Sequence, residues 1–442
     1  MEIANKTIEE LKKQYFADER PWVVTYSGGK DSTTVLLLVI KMLQELHEEK
    51  KDHKHVYVVS SDTKVEMPII EKYTDSRLKS IENFAANSEL KISSHKLHPK
   101  AKDSFFTLML GLGYPAPTSS FRWCTERLKI NPATEFLKKL VDQHKSIVML
   151  LGVRSDESQA RANSIENRVL NHRGLSVHVE IPNAFTLSPI KNWTNAEVWS
   201  YLAKNPFPWG DHEYMMSLYD KGSGEGDCNI ALNPESPSCG KTRFGCWVCT
   251  VVEKDRSMEG MLKKGEEWMQ PLWHYREMIY EYRNDPSKRY TRRRNWSSGS
   301  GAFLRSVRKE LLEKLLRTEK EVHENYHSMK VGDSDYNPDE KIQIIRDEEI
   351  VLIQEKWDGD GDILNSAIRI AHEFDRLLDI SVSTPLKDDL ESFADESFNL
   401  ELFERIYEIE AERKRTSKRY GILGDIEGRV VDFYKGEYRE TY

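Results

Sequence analysis

Six consecutive residues, Ser27-Gly28-Gly29-Lys30-Asp31-Ser32, stand between the apolar run Trp22–Tyr26 and the apolar run Val35–Ile40. A glycine pair between a buried strand and a helix start lets backbone N–H groups turn inward on an anion, and the helix N-terminus adds its positive end. Lys30 contributes a point charge, and Ser27 and Ser32 contribute hydroxyl donors. The result is a phosphate cradle. It is not a Walker A loop, because Val24 replaces the first glycine and Asp31 follows the lysine. Far downstream, Cys228, Cys239, Cys246 and Cys249 follow the spacing C-x10-C-x6-C-x2-C. Four thiolates on one Gly/Pro-rich stretch can enclose a single metal ion or cluster, and the closing C-x-x-C sets two sulfurs on one side of a tight turn. Spacing alone does not separate [4Fe–4S] from structural Zn2+.

The elements that must position these groups are legible from periodicity. The stretches 22–26, 55–62, 90–97 and 146–153 read as strands, with helical patterns over Thr33–Glu45 and Pro132–Gln143 between them. That alternation predicts an α/β fold with a doubly wound, mostly parallel sheet. Thr194 with Glu197 three residues on is a capping-box helix start. From about Asn205 the texture becomes rich in Pro, Gly and Cys, and after Cys249 it turns helical again. The expected division is 1–205 for a nucleotide domain, 206–310 for the cysteine loop and a basic segment, and 311–442 for an acidic helical region.

Bulk properties narrow the class. The chain has 442 residues and a formal charge of −8, which argues against a uniformly basic nucleic-acid binder but not against a local patch. Its apolar runs are too short to span a bilayer, and the N-terminus lacks the apolar core of a signal peptide. A cytoplasmic protein with no membrane partner is the expectation. Five cysteines are an odd number for a disulfide framework, so metal or sulfur chemistry is the better default.

The loop S-G-G-K-D-S at 27–32 resembles the PP-loop of the ATP pyrophosphatase superfamily, whose members cleave ATP between the α and β phosphates or bind adenylylsulfate in the same place. The resemblance implies that Ser27, Gly28, Gly29, Lys30, Asp31 and Ser32 bind phosphate, with Lys30 and Asp31 catalytic and Asp31 near Mg2+. "SSDTKVEMP" resembles the segment where this superfamily meets adenosine, which gives Asp62 to ribose or adenine. "LLGVRSDESQAR" resembles the G-x-R-x-x-E-S-x-x-R segment of the adenylylsulfate reductase branch. There Arg154 and Arg161 would reach anionic groups, oriented by Glu157 and Ser158. Cys124 stands apart from the other cysteines, in "FRWCTERLKINP", which resembles a reductase segment with a cysteine at the nucleotide site. Arg122 and Lys129 would favour its thiolate. Cys124 is therefore the sulfur-relay candidate, beside the alternative of a buried spectator thiol.

"RFGCWVCTVVEKDRSMEGM" after the cysteine spacing is similar to the Dnd-type sulfurtransferases of bacterial DNA phosphorothioation, over about residues 20–310. That resemblance implies a [4Fe–4S] cluster on the four cysteines, with Zn2+ as the alternative. It also implies ATP as cosubstrate, a cysteine desulfurase as sulfur donor and other subunits of a DNA phosphorothioation complex. Residues 282–309 carry Arg283, Lys288, Arg289, Arg292, Arg293, Arg294, Arg305, Arg308 and Lys309 against the acid Asp285, with Tyr290 and Trp296 among them. Such a block fits DNA phosphates, with Arg289, Arg292, Arg293 and Arg294 as the contacts. The expected function is an ATP-dependent sulfurtransferase that adenylates a DNA phosphate, releases pyrophosphate and replaces a non-bridging oxygen with sulfur. The alternatives are an adenylylsulfate or phosphoadenylylsulfate reductase, a tRNA thiolase, or a non-catalytic zinc-containing DNA-binding subunit. The reductases generally use a C-terminal redox cysteine, and no cysteine follows Cys249.

Overall fold

A computed structural model describes residues 2–157, 171, 173–210, 212–223, 244–291, 299–333, 336–362 and 364–378, with helical pieces between 402 and 435. The chain divides into two compact units, one formed by 1–99 with 119–267 and the other by 100–118 with 268–442. This differs from the expected three-part division. The inserted segment 100–118 belongs with the helices after Trp268, which composition along the chain does not reveal.

The first unit is built on six strands: β1 (Trp22–Thr25), β2 (Val56–Ser61), β3 (Ile92–Leu97), β4 (Ile147–Leu150), β5 (Ser176–Val177) and β6 (Ala184–Leu187). Their spatial order is β3-β2-β1-β4-β6-β5. All neighbouring pairs are parallel except the short β5 on β6. Strands covered on both faces read as unbroken apolar runs, and Val23, Val24, Ile147 and Val148 are buried accordingly. The order reverses between β2-β1 and β4, so β1 ends at a topological switch point, where α/β sheets open a crevice for ligands.

Helices α1 (Glu2–Phe16), α2 (Lys30–Glu48), α3 (Pro68–Asn87), α4 (Asn131–His144), α5 (Asn195–Lys204), α6 (His212–Lys221) and α7 (Arg256–Lys263) complete this unit. Helix α2 starts at the loop lysine and buries Val35 through Ile40 without a break. A helix apolar on every side over that stretch is packed on more than one face. Helix α1 supplies one cover through Ala4, Ile8, Leu11 and Tyr15, spaced as one helical stripe. On the opposite sheet face, Leu137 and Leu140 of α4 pack with Val23, Val59, Ile147 and Met149.

The second unit gathers α8 (Gln270–Asn284), α9 (Arg305–Met329), α10 (Asp347–Gly359) and α11 (Ser366–Glu373) around buried Phe105, Phe106, Met109 and Leu110. Helix α12 (Ile422–Lys435) follows in sequence. Trp357 Nε1 donates to the Leu110 carbonyl at 2.8 Å, and Phe303 N donates to the Gly113 carbonyl at 2.8 Å. Asp360 pairs with Arg308 and Asp362 with Lys309, so the acids of "WDGDGD" anchor helices. Among the described residues no helix is long and apolar enough to cross a membrane.

The expected capping box of α5 is present. Thr194 Oγ1 accepts from Glu197 N at 3.2 Å, and the Glu197 carboxylate accepts from Thr194 N at 2.7 Å. Thr194→Ala is expected to lower the unfolding free energy by about 1 kcal/mol, measured by urea denaturation. An unchanged midpoint would show that packing of α5 alone sets its start.

Candidate functional site

The loop 27–32 runs from β1 into α2 at the switch point. Gly28 has φ +71°, and a Cβ there would meet Tyr73 at 3.1 Å, so both backbone and space require glycine. Ser27 N donates to Ser32 Oγ at 3.1 Å, the two hydroxyls lie 3.1 Å apart, and Ser32 Oγ donates to the Gly29 carbonyl at 2.9 Å. The serines thus close the loop on itself, while its backbone faces a cavity of about 510 Å3 lined also by Asp62, Glu66, Lys96, Lys129, Tyr219 and Phe244.

Lys30 Nζ lies 2.9 Å from Asp31 Oδ2, and Arg154 Nε donates to Asp31 Oδ1 at 2.6 Å. Arg154 is 2% exposed and also donates to Asp156, to the Trp193 carbonyl and to Asn195. Where the sequence gives Arg154 to a bound anion, the structure pairs it with Asp31. Its guanidinium acts on the loop through Asp31. Gly152, just upstream, approaches α2 so closely that a Cβ would stand 2.8 Å from Ser32 N and 2.9 Å from the Asp31 carbonyl carbon. Glu157 closes a short 3-10 turn, Ser155–Glu157, whereas Ser158 and Arg161 lie outside the described residues.

Asp62 follows β2, with its N–H donating to the Leu97 carbonyl at 2.7 Å. Its carboxylate sits 2.8 Å from both Lys64 Nζ and Lys96 Nζ, and Lys96 reaches Asp75 at 2.6 Å. Burial opposes ionisation of Asp62, but the two ammonium groups outweigh it and hold the carboxyl below its ordinary value. Burial, reinforced by the charge of Asp62, pushes Glu71 the other way.

The described cysteines, Cys124, Cys246 and Cys249, gather beside Glu66 and Lys129, two residues that line the cavity. The segment Val65–Glu66 pairs with Cys246–Trp247: Trp247 N donates to the Val65 carbonyl at 2.9 Å, and Glu66 and Cys246 form an antiparallel bridge. Thr63 Oγ1 lies 3.3 Å from Cys246 Sγ. Cys249 N donates to the Cys246 carbonyl at 3.0 Å, the tight turn expected of C-x-x-C. Cys124 precedes a π-helical stretch, Thr125–Ile130, that leads into α4. It does not stand apart, since it feels the charge of Cys249, and Lys129 interacts with Cys124, Cys246, Cys249 and Glu66 together. Nor is its thiol acidified, as expected from the nearby cations. Burial, with Cys249 adding, pushes it above the ordinary thiol value. Burial and Glu66 push Cys246 up to about 12.

Cys228 and Cys239 lie outside the described residues, and among those described no three metal-binding side chains enclose an ion. Soft sulfur donors on one turn, with a third thiol in electrostatic reach, nevertheless fit zinc or an iron–sulfur cluster. Residues Arg292, Arg293 and Arg294 also lie outside the described set. The rest of the basic block is occupied in its own unit. Arg289 donates to the carbonyls of Gly301, Arg283 and Ser300, Arg283 to that of Pro117, and Arg308 to that of Gly111. Lys288 pairs with Glu310, and Arg305 is buried. Arg289 therefore spends its guanidinium on backbone carbonyls within its own unit.

Sequence reading missed Gly152, Glu66, Lys96 and Tyr219. Gly152 had a signal, a glycine directly after an apolar strand. Tyr219 had none, since its partner Lys30 is 189 residues away.

The phosphoadenosine phosphosulfate reductase domain matches residues 21–252. Among curated proteins, an uncharacterised protein of Methanocaldococcus jannaschii is 26% identical over 270 residues, 60% of this chain and 44% of the relative. The adenosine 5'-phosphosulfate reductase of Salinibacter ruber is 27% identical over 124 residues, 28% of this chain and 41% of that enzyme. The matches thus span less than half the length of these relatives. Among solved structures, Candida glabrata FMN adenylyltransferase with FAD and pyrophosphate aligns at 16% identity and TM-score 0.31, over 50% of this chain and 59% of that one.

Two outcomes test the geometry. Gly152→Ala is expected to unseat the loop by overpacking worth about 1–3 kcal/mol, lowering pyrophosphate affinity in calorimetry while far-UV circular dichroism stays unchanged. Asp62, with a lowered folded pKa, contributes stability in full above its ordinary value of 3.8 and loses it as pH falls through the folded value. The stability gap between the protein and Asp62→Asn should therefore shrink in acid denaturation below that pH. A gap that widened would reverse the assignment. From the loop at the switch point to the thiol turn at its wall, the chain belongs to the phosphoadenosine phosphosulfate reductase domain family.

Proposed function

We propose that the protein is an ATP-dependent sulfurtransferase that modifies a nucleic-acid phosphate, with DNA as the acceptor. The observation that supports this most is the shared wall of one cavity, where Glu66 faces the nucleotide side and its backbone pairs with the cysteine that opens the C-x-x-C turn. A nucleotide-activating loop in one pocket, with a sulfur-bearing turn paired to a residue of its lining, suits a reaction that first activates an oxygen and then replaces it.

In this reading the backbone of 28–32 and Lys30 bind the β and γ phosphates of ATP, and Asp31, steadied by Arg154, faces the Mg2+ that accompanies them. Asp62, held by Lys64 and Lys96, orients the ribose. An acceptor phosphate oxygen attacks the α-phosphorus, and pyrophosphate leaves into the loop. The oxygen now carries AMP, a good leaving group. The terminal sulfur of a Cys124 persulfide, loaded by a cysteine desulfurase partner, bonds to phosphorus as AMP leaves. A second thiol then attacks Cys124 Sγ, breaking the S–S bond so that the sulfur stays on the phosphate and the two thiols end as a disulfide. Cys228, Cys239, Cys246 and Cys249 would hold a [4Fe–4S] cluster or zinc ion, which would fix the turn, and Cys124 is the sulfur-relay thiol. Lys129 keeps positive charge between the thiols and the nucleotide cavity. Arg292, Arg293 and Arg294, beside Arg289 in sequence, are the proposed DNA-phosphate contacts.

Anaerobic incubation with Mg-ATP, with and without duplex DNA, tests the reading by quantifying AMP and pyrophosphate. DNA-stimulated pyrophosphate release is expected, and Lys30→Ala should abolish it. Release stimulated by tRNA but not DNA would move the acceptor. Sulfite formation from adenylylsulfate instead would favour a reductase.

A further inference from the structure

The phosphate loop already has an acceptor on one of its backbone donors. Tyr219, on α6, is 5% exposed, and its hydroxyl accepts from Lys30 N–H at 3.1 Å. Lys30 is the first residue of α2, and its N-cap, Gly29, provides no side-chain cap. The opening N–H groups of a helix have no acceptor within the helix, and these are the donors that bind anions at such an end. Tyr219 Oη also lies 3.2 Å from where a Gly29 Cβ would stand, so the hydroxyl sits directly against the loop backbone. Two rings fix the phenol there: Trp199 meets it edge-on at 5.0 Å and Phe244 at 5.2 Å. Lys30 Nζ stands 5.8 Å from the same ring.

We infer that Tyr219 is a positioning residue whose hydroxyl stands in for a phosphate oxygen on the loop, and that a nucleotide pyrophosphate group binds by exchanging with it at the Lys30 amide. The inference rests on the phosphate-loop reading above and adds a competitor within the chain. A charged phosphate oxygen is a stronger acceptor than a phenol, so the exchange runs toward the ligand. The bond that Tyr219 gives up is subtracted from the ligand's affinity. Two consequences follow from that sign. The phenol keeps a buried amide satisfied and the loop in shape before a nucleotide arrives, and it weakens product pyrophosphate, which helps the loop to clear.

Calorimetry with inorganic pyrophosphate and with AMP, on the full chain, decides the matter. Tyr219→Phe keeps the ring and removes the hydroxyl. It is expected to bind pyrophosphate about 2- to 10-fold more tightly, the range of one net hydrogen bond, and to leave AMP affinity unchanged. The ligand-free variant should melt lower and show a larger pyrophosphate-induced rise in Tm. Tyr219→Met, which also lacks the hydroxyl, is the second variant and should shift affinity in the same direction. Weaker or unchanged pyrophosphate binding in both variants, with normal binding by the parent chain, overturns the exchange and leaves the phosphate loop standing. A parent chain that binds neither pyrophosphate nor AMP overturns both.

Discussion

A buried guanidinium holds the site together. Arg154 leaves the end of β4, and its bond to Asp31 fixes the first turn of α2 against the neighbouring strand. A charge buried to this degree is tolerable only when paired and hydrogen-bonded, and Arg154 has four acceptors around it. The close pass of Gly152 over Asp31 and Ser32 makes that pairing possible. With α2 fixed, the glycine pair before it has little choice of path, and its amides face the crevice that the strand order opens.

The second constraint is the pairing between the segment after β2 and the cysteine turn. Thr63, Val65 and Glu66 each contact Cys246 or Trp247 through backbone or side chain. Since Asp62 is the next residue toward the sheet, one short stretch of chain ties the nucleotide side of the cavity to its sulfur side. Cys124 reaches the same region from the start of the π-helical stretch Thr125–Ile130, which also carries Lys129. The cavity is therefore lined by Glu66 and Lys129, the neighbours of the thiols, on one side and by the loop 27–32 on another.

What the sequence disclosed was local. Strands β1 to β4, the loop at 27–32, the C-x-x-C turn and the Thr194 cap are each written within a few neighbouring residues, where periodicity and turn chemistry are sufficient. What it concealed were pairings across 123, 183 and 189 residues, which join Arg154 to Asp31, Thr63 to Cys246 and Lys30 to Tyr219. Composition misled at the basic block. A run of arginines reads as a solvated or nucleic-acid face, yet Arg305 and Arg308 are buried, because their partners, Asp360 of "WDGDGD" and the Gly111 carbonyl, lie elsewhere in the chain. The acidity expected of Cys124 failed for a related reason. Nearby cations are visible in sequence, whereas burial is not.

Phosphate loop and cysteine turn are proposed to form one site. The direct measurement is the absorption and electron paramagnetic resonance spectrum of anaerobically purified protein, read as a non-hydrolysable ATP analogue is added; a zinc-loaded preparation is read after cobalt substitution. If loop and turn form one site, the metal-centre spectrum shifts with the same saturation curve as analogue binding. An analogue that binds with no change in that spectrum would contradict it.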